Sequence, residues 1–306
     1  MDKQFDILVA GEINPDLILS GDVTPEFGQK EKIVDRASLT IGSSSVIFAC
    51  GAARLGLRVG FVGVCGADLF GHFMLDEMTR GGIDVSSVKV DPTQPTGLSV
   101  ILNRGSDRSI LTYPGTIGAL SADEVSDELL SQSQHLHIAS YFLQTSLQPG
   151  LADLFKRARE LGLSTSLDPN WDPAGTWTNF DTLLPLVDVF LPNENEALAL
   201  SAEATVNQAL STLGTQVGTL AIKRGSLRAM ACRGGQTASA DALQVQVVDT
   251  IGAGDSFDAG FLYGWLKGWN LEKSLRLGVV CGSLSTRAAG GTAAQPDLAE
   301  AMAYLG

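Results

Sequence analysis

The chain has 306 residues, 44% of them hydrophobic and 18% charged, which supplies the core of one large α/β domain and argues against a disordered chain. It carries 21 basic against 34 acidic residues, a net charge of -13, with no run of Lys or Arg. That balance argues against a partner that is nucleic acid or an anionic membrane, and an anionic substrate would need a local basic site.

Cys50, Cys65, Cys232 and Cys281 are far apart and form no CxxC pair. They read as free thiols in a reducing cytoplasm, not as a disulfide or zinc framework. The opening "MDKQFDILVAGEIN" has no basic stretch ahead of a long apolar run, and no segment reaches the ~18 apolar residues of a membrane span. The expectation is a soluble, cytoplasmic protein.

In chain order, "FDILVAGEINPDLIL" reads as a buried strand ending at a glycine, a polar turn and a second strand. "KIVDRASLTIG" follows as an edge strand and "SSSVIFACGAARLG" as a helix with small residues on one face. "RVGFVGVCGAD" is another buried strand, and "FGHFMLDEMTRGG" an amphipathic helix with a glycine stop. From Val88 to Gly115 short runs rich in Thr, Ser, Val and Ile alternate with turn residues, the pattern of antiparallel hairpins. Strand–helix alternation then returns, with strands in "HLHIASYF", "STSLDPN", "DVFLPNENEA" and "TLAIKRG". Aliphatic strands of this kind predict a parallel sheet covered on both faces. The two β-rich pieces, about 13–40 and 88–115, are expected to pair into a lid on a single domain spanning 1–306.

Ligands of such sheets bind beyond the carboxyl ends of the strands. The polar residues there are Asn14 and Asp16, Gly42 to Ser45, Asp168 and Asn170, Asn193 to Glu196, and Lys223 to Gly225. Singly, each is more simply a turn former or cap. The run "DTIGAGDSFDAGF" is more specific. It reads as a glycine-rich turn opening into a helix that carries Phe257, Phe261 and Trp265 at a spacing of four. An anion would lie against the amides of Gly252, Ala253 and Gly254, at the positive end of the helix dipole. Asp255 beside it is an odd choice for binding negative charge, but makes sense as a general base acting on an attacking hydroxyl. As a mere N-cap it would not need three small neighbours.

Asn193 and Glu196 have the spacing of a capping box and, alternatively, of an amide and carboxylate holding hydrated Mg²⁺. Lys223 and Arg224 before Gly225 suit either phosphate contact or a solvated basic pair. His72, His135 and His137 lack metal spacing and read as structural or surface groups. There is no GxxxxGK[ST], and "GVCGAD" falls short of the dinucleotide fingerprint, so a Rossmann dehydrogenase is a distant reading.

These residues together resemble a known family. "DTIGAGDSFDAGF" closely resembles the C-terminal signature of the ribokinase-like (PfkB) carbohydrate kinases. "GEINPDLIL", "IGSSSVIFACGAARLG", "VGVCGADLFGHFM", "SLDPNWDP", "FLPNENEA" and "AIKRG" follow its order over nearly the whole chain. The resemblance implies a doubly wound, mostly parallel sheet flanked by helices, with a small β-sheet lid often used for homodimerisation. It implies transfer of the ATP γ-phosphate to a hydroxyl, usually a hydroxymethyl, of a sugar or nucleoside. Asp255 would be the catalytic base and Gly252 to Gly254 the anion hole. Asn14, Asp16, Gly42, Ser43 and Ser44 would face the substrate, with Asp249 near it and near a monovalent cation such as K⁺. Asn193 and Glu196 would serve Mg²⁺ and the phosphates, and Lys223 and Gly225 the nucleotide.

The chain departs from the family where paired glycines and a sugar-binding asparagine are usual. Here the pair is Gly42-Ser43, and Ile47 occupies the asparagine's place. Ser43, Ser44 and Ser45 are the expected substitutes, Tyr113 and Tyr141 further pocket residues, and Arg108 a lid residue able to meet an anionic substrate. A nucleoside kinase and a catalytically silent nucleotide- or sugar-binding protein are the alternatives to a sugar kinase.

Overall fold

The structure is a computed structural model that describes residues 3–104 and 107–305. Its main sheet has eight strands, ordered Gln236–Ala240, Ala229–Arg233, Thr219–Ile222, Val189–Phe190, Ser164–Leu167, His135–Ile138, Ile7–Ala10, Val59–Val62. The six from Thr219–Ile222 to Val59–Val62 run parallel, and the other two continue the sheet antiparallel. Strand Ile7–Ala10 pairs with Val59–Val62 on one side and His135–Ile138 on the other, so chain order reverses there. Such a reversal opens a crevice at the carboxyl ends of the strands.

In the six parallel strands every residue but half-buried Ser164 is buried, which explains their largely aliphatic character. One core layer places Phe48, Met74, Met78, Phe257 and Phe261 against Val9, Val189 and Ala221. The other places Leu130, Phe155, Phe180 and Leu210 against Leu8, Leu136, Phe190 and Leu220. One row in the first layer breaks the aliphatic rule. His135 and His137 are fully buried, and Ser166 Oγ lies 2.6 Å from His135 Nε2 and 2.8 Å from His137 Nδ1. Ser164 Oγ contacts His135 Nδ1 at 2.7 Å, and the His137 ring stacks on Phe48. Burial lowers the pKa of His135 to about 3, so the ring stays neutral, a structural histidine as expected.

The lid is a four-stranded sheet ordered Arg36–Ile41, Pro15–Ser20, Leu98–Arg104, Asp107–Tyr113. Segment 88–115 includes residues 105 and 106, which lie outside the described residues. Strand Lys89–Asp91, also within that segment, pairs instead with Val64–Gly66 and stands apart from the lid. The pleat separates two faces. Asp16 is in register with Ser99 and Ser99 with Thr112; the same face carries Ile18 and Ile101, both buried. The opposite face carries Leu17, Leu19, Val100 and Leu102, half-buried, with Leu111 and Tyr113 exposed. "AMACRGGQTASA" falls outside the strand–helix alternation. It forms the antiparallel hairpin at the sheet edge, and its signal was Gly234-Gly235 between two short runs. No helix among the described residues is long and apolar enough to cross a membrane.

Candidate active site

The glycine-rich run forms the predicted turn and helix. Gly252 caps helix Ala253–Leu266 with φ 71° and no side-chain cap bond. A Cβ there would lie 2.7 Å from Gly291 Cα and 2.8 Å from Ile47 Cγ2, so conformation and close approach both demand glycine. The amides of the helix's first turn have no intrahelical acceptors and present a partial positive charge to the crevice. Ile47, 3% exposed, packs under this loop as an apolar support for its backbone.

Asp255, in that first turn, is 7% exposed. Burial raises its pKa to about 8, helped by the charge of Asp168 and opposed by Lys223 and by a hydrogen bond from Ser44. Ser44 opens helix Ser44–Arg54, and its hydroxyl accepts from Asn170 Nδ2 at 3.0 Å. Asn170 Oδ1 in turn accepts the Ser140 amide at 2.8 Å, linking the ends of two parallel strands to the Asp255 carboxylate. Asp258, i+3 from Asp255 and 1% exposed, accepts from Lys223 Nζ at 2.9 Å. The same ammonium donates to Asp168 at 2.8 Å. Lys223 was expected to meet a nucleotide, but its ammonium is engaged by these two buried carboxylates.

Glu12, also absent from the expected set, organises the neighbouring turn. Its carboxylate accepts from the Ser45 amide at 3.2 Å and from the Ser45 hydroxyl, and Ser43 Oγ lies 3.0 Å away. Ser43 also donates to the Glu12 carbonyl at 2.7 Å and accepts from the Val46 amide at 3.0 Å, so it caps helix Ser44–Arg54. It does so at φ 68°, ψ 119°, a left-handed backbone that costs a non-glycine residue about 1–3 kcal/mol. Gly42 lies so close to the Asp16 carboxylate that a Cβ would stand 2.2 Å from its Oδ1, which ties the lid to this turn. Burial raises the pKa of Asp16 to about 7, opposed by Arg108 and reinforced by Asp249. Asn14 is buried beside it, its amide donating to the Pro15 carbonyl at a long 3.4 Å. Arg108 reaches from the lid to within 3.5 Å of Thr250 Oγ1.

Asp249 accepts the amides of Ile251 and Gly290, both at 3.0 Å, fixing the turn that precedes Gly252. Asn193 and Glu196 form the capping box: Asn193 Oδ1 accepts the Glu196 amide, and Glu196 Oε2 accepts the Asn193 amide at 2.8 Å. Burial raises the pKa of Glu196 to about 7, Asp168 adding to the rise and Lys223 opposing it. Each oxygen of a carboxylate has a second lone pair, so this donor set fits a water of hydrated Mg²⁺ better than the ion itself. Arg224 pairs with Glu194 at 2.9 Å, and Gly225 is exposed beside it. Neither tyrosine joins the cluster. Tyr113 lies on the lid face opposite Asp16, because odd and even positions of a strand point apart. Tyr141 packs edge-on against Phe142 and Phe180 in the second core layer, across the sheet from helix Ala253–Leu266.

Glu12→Ala strands the hydroxyl and the amide of Ser45 in a buried turn, whereas Ser43 keeps the backbone carbonyl of residue 12 as its acceptor. The expected loss is about 3 kcal/mol, from buried donors left without acceptors. Chemical denaturation checks it, with Glu12→Gln expected to lose less because Gln keeps one acceptor.

The model of the pfkB family of carbohydrate kinases matches residues 6–298 of the chain. An uncharacterized sugar kinase of Archaeoglobus fulgidus is 30% identical over 230 residues, covering 74% of this chain and 91% of its own. The ribokinase of Haemophilus influenzae is 27% identical over 310 residues, covering 98% of both. Among solved structures, an E. coli protein of the ribokinase kind, in complex with ATP and Mg²⁺, superposes with a TM-score of 0.86 at 23% identity, covering 98% of this chain and 99% of that one. The fold, the helix-capped glycine turn with its buried aspartate and the near full-length match agree: the chain belongs to the pfkB family of carbohydrate kinases, phosphotransferases that act on sugar hydroxyls.

Proposed function

We propose that the chain transfers the γ-phosphate of ATP to a hydroxymethyl group of a sugar, with Asp255 as general base. The observation that carries the reading is a buried carboxylate in the first turn of a glycine-capped helix with no side-chain cap bond, where the Ala253 amide donates to the Thr250 carbonyl at 3.3 Å and the helix dipole leaves a partial positive charge. Bound ATP supplies the phosphoryl group, and Mg²⁺ neutralises its charge. The chain's own groups do the rest. Asp255 takes the hydroxyl proton as the substrate oxygen forms its bond to phosphorus and the bond to the ADP oxygen breaks. The Gly252–Gly254 amides receive the negative charge that develops on the transferred group. Asn14, Asp16 and the Gly42–Ser44 turn hold the sugar, and Asp249 stands near it and near a K⁺ site. Asn193, Glu196 and Gly225 line the nucleotide end, with Glu196 reaching Mg²⁺ through water.

The outer lid face points to a second copy of the chain as partner. Leu17, Leu19 and Leu102, half-buried, and Leu111 and Tyr113, exposed, form an apolar sheet surface. Two such faces packed together give an isologous dimer. Leu111→Glu places a charge in that surface and is expected to convert a dimer to a monomer in sedimentation velocity; a wild-type chain that sediments as a monomer removes the proposal.

Turnover is measured as ADP release with Mg²⁺ over pentoses, hexoses, keto-deoxy sugar acids and nucleosides. Asp255→Asn is expected to lower kcat by 10²-fold or more while ATP binding persists. A variant that keeps its turnover would remove Asp255 as base, and a wild type silent on the whole panel yet binding ATP would favour a non-catalytic binder. A base must be deprotonated to act, and Asp255 has its pKa raised to about 8. The rate therefore rises with pH through about 8 and falls below it.

Glu196→Gln preserves the capping box but removes the charge. It is expected to raise the Mg²⁺ concentration needed for half-maximal rate several-fold, with a modest loss of thermal stability because the Gln amide nitrogen cannot accept from Asn193 Nδ2. An unchanged Mg²⁺ titration would assign Glu196 to capping alone.

A further inference from the structure

Behind the crevice, carboxylate oxygens of Asp168, Asp255 and Asp258 all lie within 4.8 Å of one another, and all three residues are buried. Three acids brought this close repel one another unless one is protonated or a cation joins them, and the pKa of both Asp255 and Asp258 is raised by burial and by Asp168. The chain supplies its own cation. Lys223 Nζ sits 2.8 Å from Asp168 Oδ2 and 2.9 Å from Asp258 Oδ2, with its side chain 10% exposed. A Cβ built on Gly254 would stand 3.7 Å from that nitrogen, so the ammonium lies directly beneath the anion-binding turn. Its two carboxylate partners come from different parts of the fold, the end of a central strand and the second turn of helix Ala253–Leu266.

We propose that Lys223 is a positioning residue for phosphoryl transfer: clamped between Asp168 and Asp258, its ammonium supplies the counter-charge that favours the ionised form of Asp255 beside the substrate hydroxyl. This rests on Asp255 being the base. The charged groups that face Asp255 are Asp168 from its strand end, Glu12 from the turn after the first strand, Lys223, and Asp258 on its own helix; Ser44 donates to it from the helix opposite. Acids outnumber the lysine in this set, and burial with Asp168 raises the Asp255 pKa while Lys223 opposes the rise. The lysine itself is held charged: burial alone would lower its pKa, but Asp168, Asp258 and Glu196 drive it above the usual lysine value. Nothing in this role requires Lys223 to touch the nucleotide.

The test uses the full-length enzyme labelled with ¹³C at the aspartate carboxyls. The Asp255 resonance is identified by its loss in Asp255→Asn and titrated without sugar. Lys223→Met is expected to move its midpoint up by a pH unit or more, and Asp168→Asn to move it down, with ATP affinity by calorimetry within about twofold of wild type for Lys223→Met. Lys223→Arg is expected to restore most of the shift. An unmoved midpoint in Lys223→Met overturns the proposal, and a tenfold loss of ATP affinity with that midpoint unmoved assigns Lys223 to the nucleotide instead. Should Lys223→Met fail to fold, as judged by circular dichroism, Asp168→Asn decides, and a midpoint that does not fall overturns the proposal. Retained turnover in Asp255→Asn sinks the base reading itself, whereas an inactive Asp255→Asn with unmoved midpoints sinks only the role of Lys223.

Discussion

A positive charge buried where water barely reaches it governs the arrangement of the crevice. Lys223 leaves the end of one strand, Asp168 the end of another, and Asp258 stands on the helix that closes over both. Removing one partner of such a pair leaves an uncompensated buried charge, a loss of about 3–5 kcal/mol. Helix Ala253–Leu266 can therefore neither slide nor turn against the sheet without breaking a contact it depends on. Its register fixes where its first amides point, and Asp255, one turn before Asp258, inherits its place from that register. Geometry and electrostatics are thus set by the same contacts.

The sheet places these groups and the lid encloses them. Chain order reverses at strand Ile7–Ala10, and the residues just beyond that strand, Glu12 and Asn14, enter the crevice as the chain leaves to build the lid. Asp16 carries the lid back onto the turn at Gly42. Lid and crevice are therefore joined through a carboxylate packed against a backbone, a contact with no room for a side chain in between.

Much of this was legible because the informative residues are neighbours in sequence. The glycine turn, Asp255 and the helix that follows occupy one continuous run, and the aliphatic runs announce buried parallel strands. Three features were not legible, each for a physical reason. The partners of Lys223 lie 55 and 35 residues away, and nothing local distinguishes a lysine awaiting a phosphate from one already paired. The face of Tyr113 depends on strand register, where a shift of one residue reverses the answer. The polar row of His135, His137, Ser164 and Ser166 contradicts the aliphatic rule, and only pairing of adjacent strands shows how each ring nitrogen finds its hydroxyl. Glu12 falls between these cases: its position at a strand end was visible, but its partners 31 and 33 residues on were not.

Ser43 holds a left-handed backbone that glycine would occupy without strain, yet its hydroxyl serves the Glu12 carbonyl and carboxylate and the Val46 amide together. A descendant carrying glycine there would relax the backbone and lose the cap, while Glu12 would keep a buried charge with fewer donors. A descendant losing Glu12 first would keep the strain at Ser43 and strand the hydroxyl and amide of Ser45. Glu12, Ser43 and Ser45 are therefore linked: lineages descending from this chain are expected to keep or replace the three residues as a set, because changing Glu12 or Ser43 alone removes a hydrogen-bond partner from the groups that remain.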